Sequence, residues 1–515
     1  MSEVFVTESG SHTEARTRLQ NFLDRAGLRG FPWKTAIILY TISWGWLFIV
    51  RNSYWAADWE NFVFPELSTF DFDTLGFAPW MKANLILFDV LGSSFMRLLI
   101  FLGFFSAGVC LYGISRKVYF LGLTERKTLT LLFLVLPFNT ARVSLMVFHY
   151  SEAYFLFFLG WYLLVTFRPL AIKHFCVILF FLSFQMHSML VFYLLPIAHL
   201  FFLSRTRSLK EHFRWLVDNF VFLILPFLYW NLRNLFWPEQ VSYHAVTSTQ
   251  IGDSIVLPVF VFVAVLGLYV WGRRFKLENQ HSVWLLSLGT LALFLGIYPY
   301  VLYGFFTTKT ILSTYFYTFL GRTSWYTRHQ TLQPLGLSLI ITGGVKYFSD
   351  NFVKALQLFR HLVLFLCVVL NVGFGFEHVV DYQKQQEIIA QLKLAGEVNL
   401  KSHVQFIDQT TALNARGQTM YYRAWSGLIG LANGLDEARR LKIETICGTR
   451  ESARLVLIQG PETHWEALKN WVSDGDMGFK VTVDDTPGAC KPEMVTSERV
   501  SGAIPILFYF TGAKG

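Results

Sequence analysis

Apolar residues in this chain come in runs near twenty long, and the polar residues collect in the gaps. The runs recur from Ile37 to Phe376. Runs of that length predict membrane-spanning helices. They fall near 35–50, 93–113, 128–138, 152–167, 174–186, 189–203, 216–232, 254–271, 283–304, 332–344 and 361–376. The expected fold is an α-helical polytopic membrane protein of about 11 transmembrane helices over residues 35–376, after an N-terminal segment 1–34. The first run begins near residue 35 with no small-residue cleavage site behind it, so it reads as a retained span and not a signal peptide.

After Phe376 the pattern changes. Residues 377–396 continue as a helix, and "SHVQFID", "ARLVLIQG", "FKVTVDD" and "IPILFYF" alternate as strands do. "THWEALKNWVSDG" reads as a helix, with a Thr cap near its start and a Gly past its end. Strands interleaved with helices predict a small α/β domain over 377–515.

Composition supports the membrane reading. The chain is 53% hydrophobic and 15% charged, where a soluble protein carries about a quarter charged residues. Charge then orients it. Of the 29 Lys and Arg before residue 377, 21 fall on the side of the N-terminus and 8 on the other. That bias makes the N-terminus cytoplasmic and, after eleven spans, the C-terminal domain extracytoplasmic. The net charge of +9 is therefore mostly topological. It makes no case for nucleic acid as a partner. Cys447 and Cys490 are the only cysteines of the C-terminal domain. A disulfide between them and a pair of unbridged thiols are both open readings.

On this map the first outer loop, 51–92, is long and acidic. Its opening stretch, "RNSYWAADWENF", sets Asp58 and Glu60 two residues apart among aromatics. Aromatic neighbours partly desolvate a carboxylate, which raises its pKa towards that of a usable base. The same pair suits a divalent metal, Mg or Mn, because hard cations take carboxylate oxygens. The bland alternative is an ordinary acidic loop in an aromatic belt. Other polar residues fall on the same side. "PFNTARVSLMVFHYSEAYF" carries Arg142, His149 and Glu152, "SFQMHSML" carries His187, and "FLGRTSWYTRHQTLQPLG" carries Arg322, Arg328 and His329. Arg suits phosphate because its planar fork donates two parallel hydrogen bonds. Ionisable residues at membrane depth are costly and point to function, although an Arg also snorkels to headgroups.

The "AADWENF" stretch after the first run resembles the first-loop acidic motif of the GT-C class of integral-membrane glycosyltransferases. The layout of the whole chain is similar to that class too. The "WWD" motif of oligosaccharyltransferases and the adjacent Asp-Glu of protein mannosyltransferases are absent, so no subfamily is assigned. The resemblance implies a sugar donor carried on a polyprenyl phosphate or pyrophosphate, and a glycan, lipid or protein as acceptor. It casts Asp58, with Glu60 as partner, as the catalytic carboxylate. Arg322, Arg328, His329 and Arg142 become the holders of the lipid phosphate, in contact with membrane lipids. A bacterial inner membrane is the expected location. Two alternatives stand beside it. "FQMHSMLVFYLLP" resembles a His-Ser stretch of O-antigen-type polysaccharide polymerases and ligases. A transporter or flippase of lipid-linked sugars is the other, though no repeat symmetry is visible.

Overall fold

The structure is a computed structural model. It describes residues 24, 26–55, 58–59, 62, 78–167, 169–204, 208–238, 280–302, 328, 330–349, 353–395, 403–417, 420, 422–433 and 453–486. Among these, three helices are long and apolar enough to cross a membrane: Lys82–Ser115, His281–Pro299 and Gln357–Leu394. A fourth arises only if Lys210–Asp218 and Phe220–Phe236, bent by 48° at their junction, count as one span. The expectation of about 11 transmembrane helices is overturned.

Helix length explains why. The run at 35–50 is a 12-residue helix, Trp33–Trp44, that tightens into the 3₁₀ turn Gly45–Phe48. The run at 128–138 sits in the 13-residue helix Leu123–Val135. The runs at 174–186 and 189–203 become Leu170–Ser183, Ser188–Phe192 and Leu194–Ser204. At about 1.5 Å per residue, helices this short reach about 20 Å, against a hydrocarbon core of about 30 Å. The expected span 254–271 lies outside the described residues.

Many of these apolar residues face one another. Phe133, Tyr154, Phe157, Phe158 and Phe180 are buried in a continuous aromatic core. The helix Ala78–Ser115 kinks at Gly92, whose φ of 74° is open to glycine at little cost. The helices Gln280–Leu302 and Gln333–Ser349 approach closely where Gly289 and Gly336 each face the partner's backbone. Small residues at a crossing allow such contact.

The helix Val353–Leu394 has 42 residues and links the helical layer to the C-terminal region. There β1 (His403–Asp408) pairs in parallel with β2 (Ala453–Gln459), which pairs antiparallel with β3 (Lys480–Thr486). The helix His464–Asp474 is capped by the Thr463 hydroxyl, which accepts from Glu466 N at 3.1 Å. It stops at Gly475, in the left-handed region at φ 73°. Leu413, Ala467, Met477 and Phe479 pack with Val380 of the long helix. Three of the four expected strands are thus present, and "IPILFYF" lies outside the described residues.

Candidate functional site

Asp58 lies inside the protein, with no exposed surface. One carboxylate oxygen, Oδ1, accepts from Ser144 Oγ at 2.5 Å and from Met146 N at 3.2 Å. The other, Oδ2, accepts from Trp55 N at 3.2 Å. The carboxylate thus ties the first loop to the turn 139–147. Burial raises its pKa to about 6, and the hydrogen bonds from Ser144, Met146 and Trp55, with the nearby Arg97 charge, only partly offset that.

The turn is built from two short 3₁₀ segments, Thr140–Val143 and Leu145–Val147. Asn139 opens it in the left-handed region at φ 56°, which Asn tolerates better than most residues. Arg142 points inward. Its guanidinium carbon lies 3.5 Å from the Trp44 ring centre and 4.5 Å from that of Phe104. Its Nε and Nη2 donate to the Asn139 and Phe138 carbonyls, each at 3.2 Å. Its Nη1, and both amide atoms of Asn139, lack a hydrogen-bond partner among the described residues. A cavity with room for about one water is lined there by Tyr40, Asn139, Arg142, Tyr154 and Thr331.

His149 follows the turn at the start of the helix Phe148–Thr166. Desolvation first, and the charge of Arg328 second, push its pKa down and keep it neutral. Arg328 is itself buried. Asp58 is therefore brought from far along the chain to the turn that carries Arg142 and precedes His149, and the charge of Arg328 acts on His149. Glu152 is half-buried on the same helix. His187 stands apart from this group in its ring contacts, edge-on to Tyr229 and Trp230. Glu60, Arg322, His329, Cys447 and Cys490 lie outside the described residues.

The surroundings of Asp58 do not suit a divalent cation. Both its oxygens already face N–H or O–H donors, and a guanidinium stands beside them. No group of three His, Cys, Asp or Glu with metal-binding geometry occurs among the described residues.

Sequence reasoning passed over Arg97. It is fully buried, donates Nη2 to the Ser53 carbonyl at 2.6 Å, and leaves Nε and Nη1 without partners among the described residues. A lone Arg inside the apolar stretch "SSFMRLLIFLGFF" was the available signal. Also passed over was the clamp from the far end of the chain. The Gln385 side chain accepts from Tyr54 N at 3.3 Å and donates to Tyr54 O at 3.1 Å. Trp55 Nε1 donates to the Ala415 carbonyl at 3.4 Å. No short motif announces contacts more than 300 residues apart.

No family model matches the chain, and neither a curated protein nor a solved structure matches it. A functional reading must come from the residues themselves.

Proposed function

We propose that this chain is a membrane glycosyltransferase. It moves a sugar from a polyprenyl phosphate or pyrophosphate donor to a glycan, lipid or protein acceptor, at the face of a bacterial inner membrane that carries Asp58. The observation that carries this reading is the single turn that holds both charges such a transfer needs. Ser144 and Met146 hold Asp58, and two residues before Ser144 Arg142 presents a guanidinium whose Nη1 has no hydrogen-bond partner among the described residues.

The chemistry follows from those positions. The bond from the sugar carbon to the donor phosphate oxygen breaks, and a bond from that carbon to the acceptor oxygen forms. The acceptor proton passes to Asp58, whose raised pKa brings it nearer to neutral pH than an ordinary carboxylate. To reach Oδ1 the acceptor hydroxyl takes the place of the Ser144 hydroxyl. Negative charge left on the lipid phosphate is met by Arg142, with Arg328 behind His149 as a second cation. A metal has no step here.

One observation favours a second reading. The hydrogen bonds of Asp58 among the described residues are all internal, whereas Nη1 of Arg142 has no hydrogen-bond partner among them. That distribution suits an O-antigen-type polymerase or ligase, which depends on Arg and His. Two substitutions separate the readings in purified protein supplied with a lipid-linked donor. Asp58→Asn lowers transfer by at least about 100-fold if Asp58 is the base. Full activity of Asp58→Asn, together with a comparable loss in Arg142→Lys, overturns the first reading in favour of the second. Arg142→Lys keeps the charge and loses the fork.

A further inference from the structure

The helix Leu209–Asp218 has an unusual surface. Its sequence, LKEHFRWLVD, holds charged or titratable residues at five of ten positions. The Ser208 hydroxyl and Glu211 form a reciprocal capping box, so the helix has a built start. Trp215 is buried, and its ring lies 5.0 Å from that of Phe201 in the preceding helix. His212 also turns to Phe201, with ring centres 5.5 Å apart. This face is the packed one.

Another face is apolar and open. Phe213, Leu216 and Val217 are all exposed, Phe213 at 69%. Their spacing of three and four residues makes one stripe. The stripe does not stop at the bend. Val221, Phe227 and Leu228 of the following helix Phe220–Phe236 are exposed as well. That second helix, of 17 residues, is long enough to cross a membrane only together with the first, across the 48° bend. Lys210 and Arg214 stand one turn apart at the edge of the stripe, between it and the acidic positions Glu211 and Asp218. In sequence, Arg205 and Arg207 precede them.

We propose that Leu209–Asp218 lies flat in the membrane interface and binds anionic lipid headgroups. Two observations select that occupant. The apolar stripe is continuous with the exposed apolar face of the adjoining helix, which has the composition of a membrane segment. The flanking charges nearest the stripe are cations, and long basic side chains at such an edge rest their stems on apolar surface with their heads among phosphates. Five titratable residues in ten would be costly in the hydrocarbon core itself. The anchoring is independent of the transferase reading.

The test uses the full chain reconstituted in vesicles. Val217→Cys, in a background with Cys447 and Cys490 replaced by Ser, carries a fluorophore. Vesicles of phosphatidylcholine, with or without phosphatidylglycerol, contain lipids brominated near the top or near the end of the acyl chain. Quenching is expected to be stronger from the upper position and to increase with phosphatidylglycerol. Lys210→Gln with Arg214→Gln is expected to abolish the phosphatidylglycerol dependence, whereas Lys210→Arg with Arg214→Lys keeps it, since headgroup attraction depends on charge. Unchanged elution and helicity establish that each variant is folded. The proposal is overturned if no brominated lipid quenches the label, and a crosslink through residue 217 would then show that a second copy covers the face. It is equally overturned if quenching is strongest at the chain end, or if the charge-removed variant still responds to phosphatidylglycerol.

Discussion

At the scale of single residues, Asp58 has the clearest consequence. Its carboxyl is raised from 3.8 to about 6 in the folded protein. The folded state therefore holds its proton more tightly than the unfolded chain does. The stability this group confers is full below about pH 4 and is lost as pH rises through about 6. Two pH units correspond to about 3 kcal/mol. The thermal midpoint of the wild type, followed between pH 4 and 7, should fall as Asp58 ionises. Asp58→Asn should reduce that fall by the share Asp58 supplies, because the amide has no charge to desolvate. A profile identical in both proteins would show that Asp58 does not titrate in this window. The composition of the loop made the direction of this shift legible, since aromatics crowd the carboxylate. Its partners were not legible, because Ser144 and Met146 approach it only through the turn 139–147.

Elements set where these residues can go. Apolar content alone does not separate a helix that faces lipid from one that faces other aromatics. Both read as runs, and only length and neighbours distinguish them. The long helix Val353–Leu394 shows the opposite case, where polar residues mark a junction. Lys384 is fully buried on it and binds Asp408 Oδ2 at 2.5 Å and Asn414 Oδ1 at 2.7 Å. The next residue, Gln385, holds Tyr54, and two turns earlier Glu377 pairs with Arg416 at 3.2 Å. Removal of one partner of a buried ion pair leaves the other uncompensated, at a cost of about 3–5 kcal/mol. Lys384→Met should therefore lower the unfolding midpoint strongly, and adding Asp408→Asn should recover much of the loss. An unchanged midpoint in Lys384→Met would mean that this junction does not hold the C-terminal region in place.

For the whole molecule, the sidedness of the C-terminal region follows from the parity of the spans. The three helices among the described residues that are long enough to cross place it opposite the N-terminus, and a fourth crossing would return it to the same side. A reporter fused after Ala395 and one fused at the N-terminus should therefore score on opposite sides of the membrane. Scores on the same side would mean a further crossing, for which the bent pair at 210–236 is the candidate among the described residues. By itself, the sequence determined the local properties of this protein. Its apolar helices, the three described strands, the capped helix at 464–474 and the acid–aromatic loop around Asp58 are all set by neighbours a few residues away. Tertiary structure alone decided how many helices are long enough to cross a membrane, because that depends on where turns break the runs. It alone enclosed Asp58 with Ser144 beside Arg97, and it alone tied Tyr54 to Gln385. Hydrophobic patterning records which residues avoid water, but it does not record which of them meet.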